Sequence, residues 1–207
     1  MLQFVNQHKG IKMLKKLILL IGVPGCGKTT DAQLISEKHE NEITSYSTGT
    51  LIKEEIDKGT AIGKISKGFF DKGDLVPTQI VLDIIVDAIF RAKTDIVLLS
   101  GFPGKQKQLA YFGDYLFTHD KIELISVIEL QVNDALAKER FLSTGRSEEI
   151  FNHEMASYKK SIDEIEQHYN KEHLLEIIDA ERALEVVVND IDEHLMSKIE
   201  DLKTNVA

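Results

Sequence analysis

Residues 17–31 read LILLIGVPGCGKTTD, an apolar run that breaks into a glycine-rich turn and then into a helical pattern. The run at 17–21 is the length of a strand buried on both faces. Residues 29–39, TTDAQLISEKH, space their aliphatics as a helix does. Between them, GVPGCGKT at 22–29 satisfies G-x-x-x-x-G-K-[ST], with Gly22, Gly27, Lys28 and Thr29 at the defining positions. Glycines let backbone N–H groups converge on phosphate oxygens, and the helix that follows adds the positive end of its dipole. Lys28 brings a mobile charge to the β- and γ-phosphates and Thr29 a hydroxyl for Mg²⁺. Cys26 fills a place that needs a small side chain.

Similar apolar runs recur at 96–99, 122–128 and 174–178, and helical spacing recurs at 78–92 and 181–202. Strands alternating with helices predict a parallel sheet joined by right-handed crossovers. Two stretches depart from that rhythm. Residues 48–75 are rich in glycine and read as short helices joined by turns. Residues 143–150, STGRSEEI, are a short polar connection. Both are suited to carry an element that closes on a ligand.

The 207 residues suit one α/β domain, and a charged fraction of 29% against 43% hydrophobic is ordinary globular composition. A net charge of -9 argues against nucleic acid and anionic membranes as partners, so any phosphate is held by local geometry. No apolar run approaches the ~20 residues of a membrane helix, and residues 1–12 lack the pattern of an export signal. A cytoplasmic location is expected. One cysteine excludes an internal disulfide, and none of the seven histidines has metal-ligand spacing. Residues 1–12 are expected to be a disordered extension, with Met13 an alternative start to Met1. The acidic run DEIE at 163–166 reads as the wet face of a helix.

Downstream of the phosphate loop, YSTGTLIKEEI (46–56), GKISKGFFDKGDLVP (63–77), LSGFPGKQKQ (99–108), AKERFLSTGR (137–146) and IIDAERALEVV (177–187) follow in order. With the loop they resemble the adenylate kinase family over nearly the whole chain from Met13 onward. The resemblance implies an α/β fold: a P-loop parallel sheet flanked by helices over residues 13–207, with a small helical NMP-binding flap at 43–75 and a short lid at 141–150. It implies reversible phosphoryl transfer from Mg·ATP to AMP, giving two ADP. ATP is then a co-substrate and Mg²⁺ the cofactor, in a protein expected to be a monomer. The family's longer lids hold zinc through cysteine-rich ligand sets, and a lid without cysteine implies none.

Carried over residue by residue, Gly25, Cys26, Gly27, Lys28, Thr29 and Thr30 match the ATP loop. Thr48, Lys53, Asp74, Leu75 and Val76 match the AMP pocket, as do Gly101, Phe102 and Gln108, whose amide would read the adenine edge. Arg140 and Arg146 match lid arginines, and Arg182 matches the turn against the ATP base. Other positions depart from the pattern. Family arginines are replaced by Lys53, Gly104, Thr144 and Glu154, and family acids by Thr50 and Ser100. Because phosphoryl transfer relies on placed charge, these departures leave a second reading open, a nucleotide-binding pseudoenzyme or regulatory module of the same fold. A P-loop kinase acting on a small alcohol would fit residues 1–40 but leaves GFPG and KGDLVP unexplained.

Overall fold

The computed structural model describes residues 14–72, 74 and 76–204. The extension expected at 1–12 and the pocket residue Leu75 lie outside them. The elements run β1 (Lys15–Gly22), α1 (Lys28–Lys38), β2 (Ile43–Ser47), α2 (Thr48–Asp57), α3 (Ala61–Phe70), α4 (Thr78–Arg91), β3 (Ile96–Ser100) and α5 (Gln106–Thr118). They continue with β4 (Ile122–Gln131), α6 (Asp134–Ser143), α7 (Glu148–Lys159), α8 (Ile162–Lys171), β5 (Leu175–Asp179) and α9 (Leu184–Thr204). All strand pairings are parallel, in the order β2-β3-β1-β4-β5.

The period of two along β1 divides the core. Leu17, Leu19 and Ile21 pack into the layer with Ile85, Ile89, Phe102 and Phe112 from α4, the GFPG turn and α5. Ile18 and Leu20 face the opposite layer, with Ile35 of α1 and Ile191 and Leu195 of α9. A central strand buried on both faces needs no polar positions, which is why it reads as an unbroken apolar run. From the end of β1 the chain crosses to β2 on one side, and from β3 it crosses to β4 on the other. Their carboxyl ends therefore flank the crevice where open α/β sheets bind ligands.

The stretch expected as a flap divides in two. Its first residues, ITSYS, form the edge strand β2 paired with β3, and the helical part begins only at Thr48. Thr48 ties that helix to the sheet, its Oγ1 donating to the Ser100 carbonyl at 3.0 Å. The polar connection between α6 and α7 is a tight turn through Thr144 and Gly145, closed by backbone bonds from both residues to the end of α6.

One buried acid is an exception to the apolar sheet. Glu129 of β4 is 5% exposed, and burial together with the Glu166 carboxylate on α8 pushes its carboxyl up to about 8. Glu166 thus turns toward the sheet, a correction to reading DEIE as wholly solvated. The folded state keeps a proton that the unfolded chain, titrating at 4.5, has released. Stability therefore falls as pH rises from about 4.5 to about 8 and levels off above that, where both states have lost the proton. Urea titrations at pH 6 and pH 9 are expected to show a loss of about 2 to 4 kcal/mol, most of it absent in Glu129→Gln.

Candidate active site

The phosphate-type loop closes over its own lysine. Lys28 begins α1, and its Nζ donates to the carbonyls of Gly22 and Val23, each at 2.8 Å, and lies 3.3 Å from the Cys26 Sγ. The turn depends on glycine at two points. Gly25 has φ +85, and a Cβ there would stand 2.0 Å from the Ala137 carbonyl oxygen of α6. Gly27, at φ +111, caps α1, and a Cβ there would meet Asp31 Oδ2 at 2.9 Å. Both need the left-handed conformation that side chains disfavour, and Gly25 also needs the space.

A cavity of about 690 Å³ opens over this loop, within the range of small-molecule sites. Its floor is the loop from Pro24 through Asp31, its near wall Ser100 and Gly101 at the end of β3. The far wall comes from α6 and the turn after it, with Arg140, Phe141 and Arg146, and from the segment after β5, with Ala180 and Arg182. Lys28, Arg140, Arg146 and Arg182 thus converge on one space. Arg140 is steadied by donating to the Ala180 carbonyl at 2.8 Å, and Arg182 by Asp190 at 2.5 Å. Arg146 stacks on the Phe141 ring at 4.2 Å and pairs with Glu154.

Asp31 is 2% exposed beneath the loop. Burial raises its carboxyl to about 6, against the opposing pull of Arg140 and Lys28. At the end of β3, Ser100 Oγ is buried with no hydrogen-bond partner. Such a cavity, four cations over a glycine loop at a helix start, is built for a polyphosphate.

Residues 20–174 match the family profile described as Adenylate kinase. The chain is 40% identical over 197 residues to the adenylate kinase of Sulfurovum sp. (strain NBC37-1), covering 90% of this chain and all of that protein. It is 40% identical over 192 residues to that of a Nitratiruptor species, 91% and 99% covered. It is also 40% identical over 193 residues to that of Campylobacter jejuni (strain RM1221), 91% and 100% covered. The chain belongs to the adenylate kinase family.

Within this adenylate kinase framework the structure gathers every residue matched to the ATP side, Gly25 through Thr30 with Arg140, Arg146 and Arg182, around one cavity. Of the described residues matched to the AMP side, only Gly101 lines it. Thr48 is buried against Ser100. Val76 and Phe102 belong to the core, Phe102 edge-on to Phe112 at 5.3 Å. Gln108 is 4% exposed, and its Oε1 accepts from the Gly104 N–H at 2.7 Å. Lys53 pairs with Asp57 on the outer face of α2, and Asp74 lies 3.4 Å from His153 Nε2 on α7. Among the described residues no group of three or more His, Cys, Asp or Glu is arranged to hold a metal ion.

Sequence reasoning missed Asp31, which reads as one more polar residue on α1. Its signal was its distance, three residues past Lys28, which returns the side chain under the loop. The pairing of Arg146 with Glu154 was equally hidden, since it depends on how tightly the turn between α6 and α7 folds back.

Proposed function

We propose that the chain catalyses reversible transfer of the γ-phosphoryl group of ATP to AMP, giving two ADP. The observation that carries this is the convergence of Lys28, Arg140 and Arg146 over the glycine loop in one cavity. Transfer of a phosphoryl group needs little covalent participation from the protein. It needs in-line placement and fixed positive charge around the equatorial oxygens. Backbone N–H groups of Gly25 to Thr30 cradle the β-phosphate, Lys28 leaves its carbonyl partners for the γ-phosphate, and Arg140 and Arg146 reach the transferring group. Arg182 flanks the ATP base.

The monophosphate would sit beyond Gly101, bounded by Thr48, Asp74, Val76 and Phe102, with Lys53 leaving Asp57 to reach its phosphate and Gln108 presenting its amide to the adenine edge. The exposed hydroxyls of Thr29 and Thr30 line the cavity beside the loop. That donor set fits Mg²⁺, which takes few protein ligands and keeps phosphate oxygens and waters. Thr29 would hold it, and the ion would supply neutralisation of the phosphate charge. No helix among the described residues is long and apolar enough to cross a membrane. With a net charge of -9, the reading is of a cytoplasmic monomer whose partners are nucleotides, not nucleic acid or membrane.

The experiment is a comparison of monophosphate acceptors with Mg·ATP. AMP is expected to exceed CMP and UMP in kcat/KM by at least ~10²-fold, the discrimination a buried hydrogen-bonding group gives. Gln108→Leu is expected to erase most of that ratio. Equal use of all three by the wild type would refute the assignment of AMP.

A further inference from the structure

The cavity contains a carboxylate that a polyphosphate site does not call for. Glu154 of α7 lines it beside Arg146, and both terminal nitrogens of that guanidinium turn to the carboxylate, Nη2 to Oε1 and Nη1 to Oε2 at 3.4 Å. The face of the same guanidinium lies 4.2 Å from the Phe141 ring centroid. A two-pronged ion pair combined with stacking fixes a planar head far better than a single exposed contact.

The other cations are restrained differently. Lys28 and Arg140 bond to neutral backbone carbonyls, with the Asp31 carboxyl beneath the loop as the acid they sense. Arg182 engages Asp179 and Asp190, neither of which lines the cavity. Arg146 alone among these four makes a direct ion pair with a carboxylate of the cavity lining.

We infer that Glu154 is a latch, a positioning residue that holds Arg146 in the nucleotide-free state and must release it to the phosphates of ATP. This rests on reading the cavity as the ATP site. Binding then exchanges one partner of Arg146 for another, so part of the attraction between Arg146 and the triphosphate is spent in breaking the existing pair. The released carboxylate stays within the cavity wall as a like charge. Both effects lower affinity for ATP, and both act through the position of one side chain that is eight residues from its partner.

The test is calorimetric titration of ATP into the full chain, alongside steady-state kinetics. Glu154→Gln is expected to tighten ATP binding by ~3- to 10-fold, the range of a partly exposed ion pair and its repulsion. KM for ATP falls with it, while kcat stays within ~2-fold. Glu154→Asp, which keeps the charge, stays near wild type. In an Arg146→Ala background the same Glu154→Gln change is expected to give a clearly smaller gain, because the pair it would break is already gone and only the like-charge repulsion is left to relieve. Unchanged or weaker binding in Glu154→Gln overturns the latch, as does a gain of undiminished size without Arg146. A merely structural Glu154 would lower stability and weaken binding, the opposite sign. Lys28→Met is the separate control: if it binds ATP as the wild type does, the assignment of the cavity is what has failed.

Discussion

Lys28→Met is expected to lower kcat/KM for ATP-dependent phosphorylation of AMP by ~10³-fold or more, beyond the typical cost of removing one preorganised donor. The excess has a structural source. The Lys28 ammonium lies 2.8 Å from the carbonyls of both Gly22 and Val23, so it is already at the centre of the loop when ATP arrives. Its loss removes the charge meant for the γ-phosphate and also the donor that keeps the two carbonyls satisfied. A coupled ADP assay measures the first effect. Thermal unfolding measures the second, expected at about 1 to 2 kcal/mol for the lost hydrogen bonds.

Arg140→Ala is expected to lower kcat by ~10²- to 10³-fold, with a smaller change in KM, if its charge acts on the transferring group as proposed. Arg140→Lys should recover little, since the guanidinium reaches the Ala180 carbonyl through Nη1 at 2.8 Å and leaves its remaining nitrogens for phosphate. The pH profile provides an independent check. Arg140 opposes the burial that raises Asp31 to about 6. Removing it lets the Asp31 carboxyl rise further, so any limb of the profile that reports Asp31 moves to higher pH in Arg140→Ala. A limb that stays in place, or moves down, would dissociate Asp31 from the site.

How much of this is legible from sequence follows from where each residue sits. β1, β3 and β4 carry apolar runs because their inner positions are enclosed by helices on both faces. The two edge strands each have one buried residue, Ile43 in β2 and Ile178 in β5; β5 still reads as a strand from its aliphatic composition, whereas ITSYS carries no such run and reads as part of the flap. Helical spacing predicts α9 from 181, but the helix begins at Leu184. Residues 179–182 instead form a turn in which Asp179 accepts from the Glu181 N–H and the Arg182 Nε, a local alternative that short polar side chains offer the backbone.

The site divides along the same line. The loop of the proposed ATP side is compact in sequence and in space, since a loop and the helix it opens position themselves, while Arg140, Arg146 and Arg182 are brought to it by the fold. The proposed AMP side draws on the GFPG turn, Asp74 and the start of α2, and the relation of these to one another is set by packing that no local motif encodes. Glu129 and Glu166 stand in a strand and a helix that each look ordinary, and only the fold puts them together. The departures from the family pattern are visible as residue types, but the role of Glu154 is not. An acid at that position reads as a lost charge until Arg146 is seen to turn to it.

The most direct measurement of the central claim is ADP formation by the wild-type chain from ATP, AMP and Mg²⁺, with Lys28→Met as the baseline. The expected result is turnover at ~1 s⁻¹ or faster, in the ordinary range for enzymes, dependent on both nucleotides and lost in the variant. A wild-type rate no higher than that of Lys28→Met, with ATP binding intact, would contradict it and leave a nucleotide-binding protein without phosphotransfer.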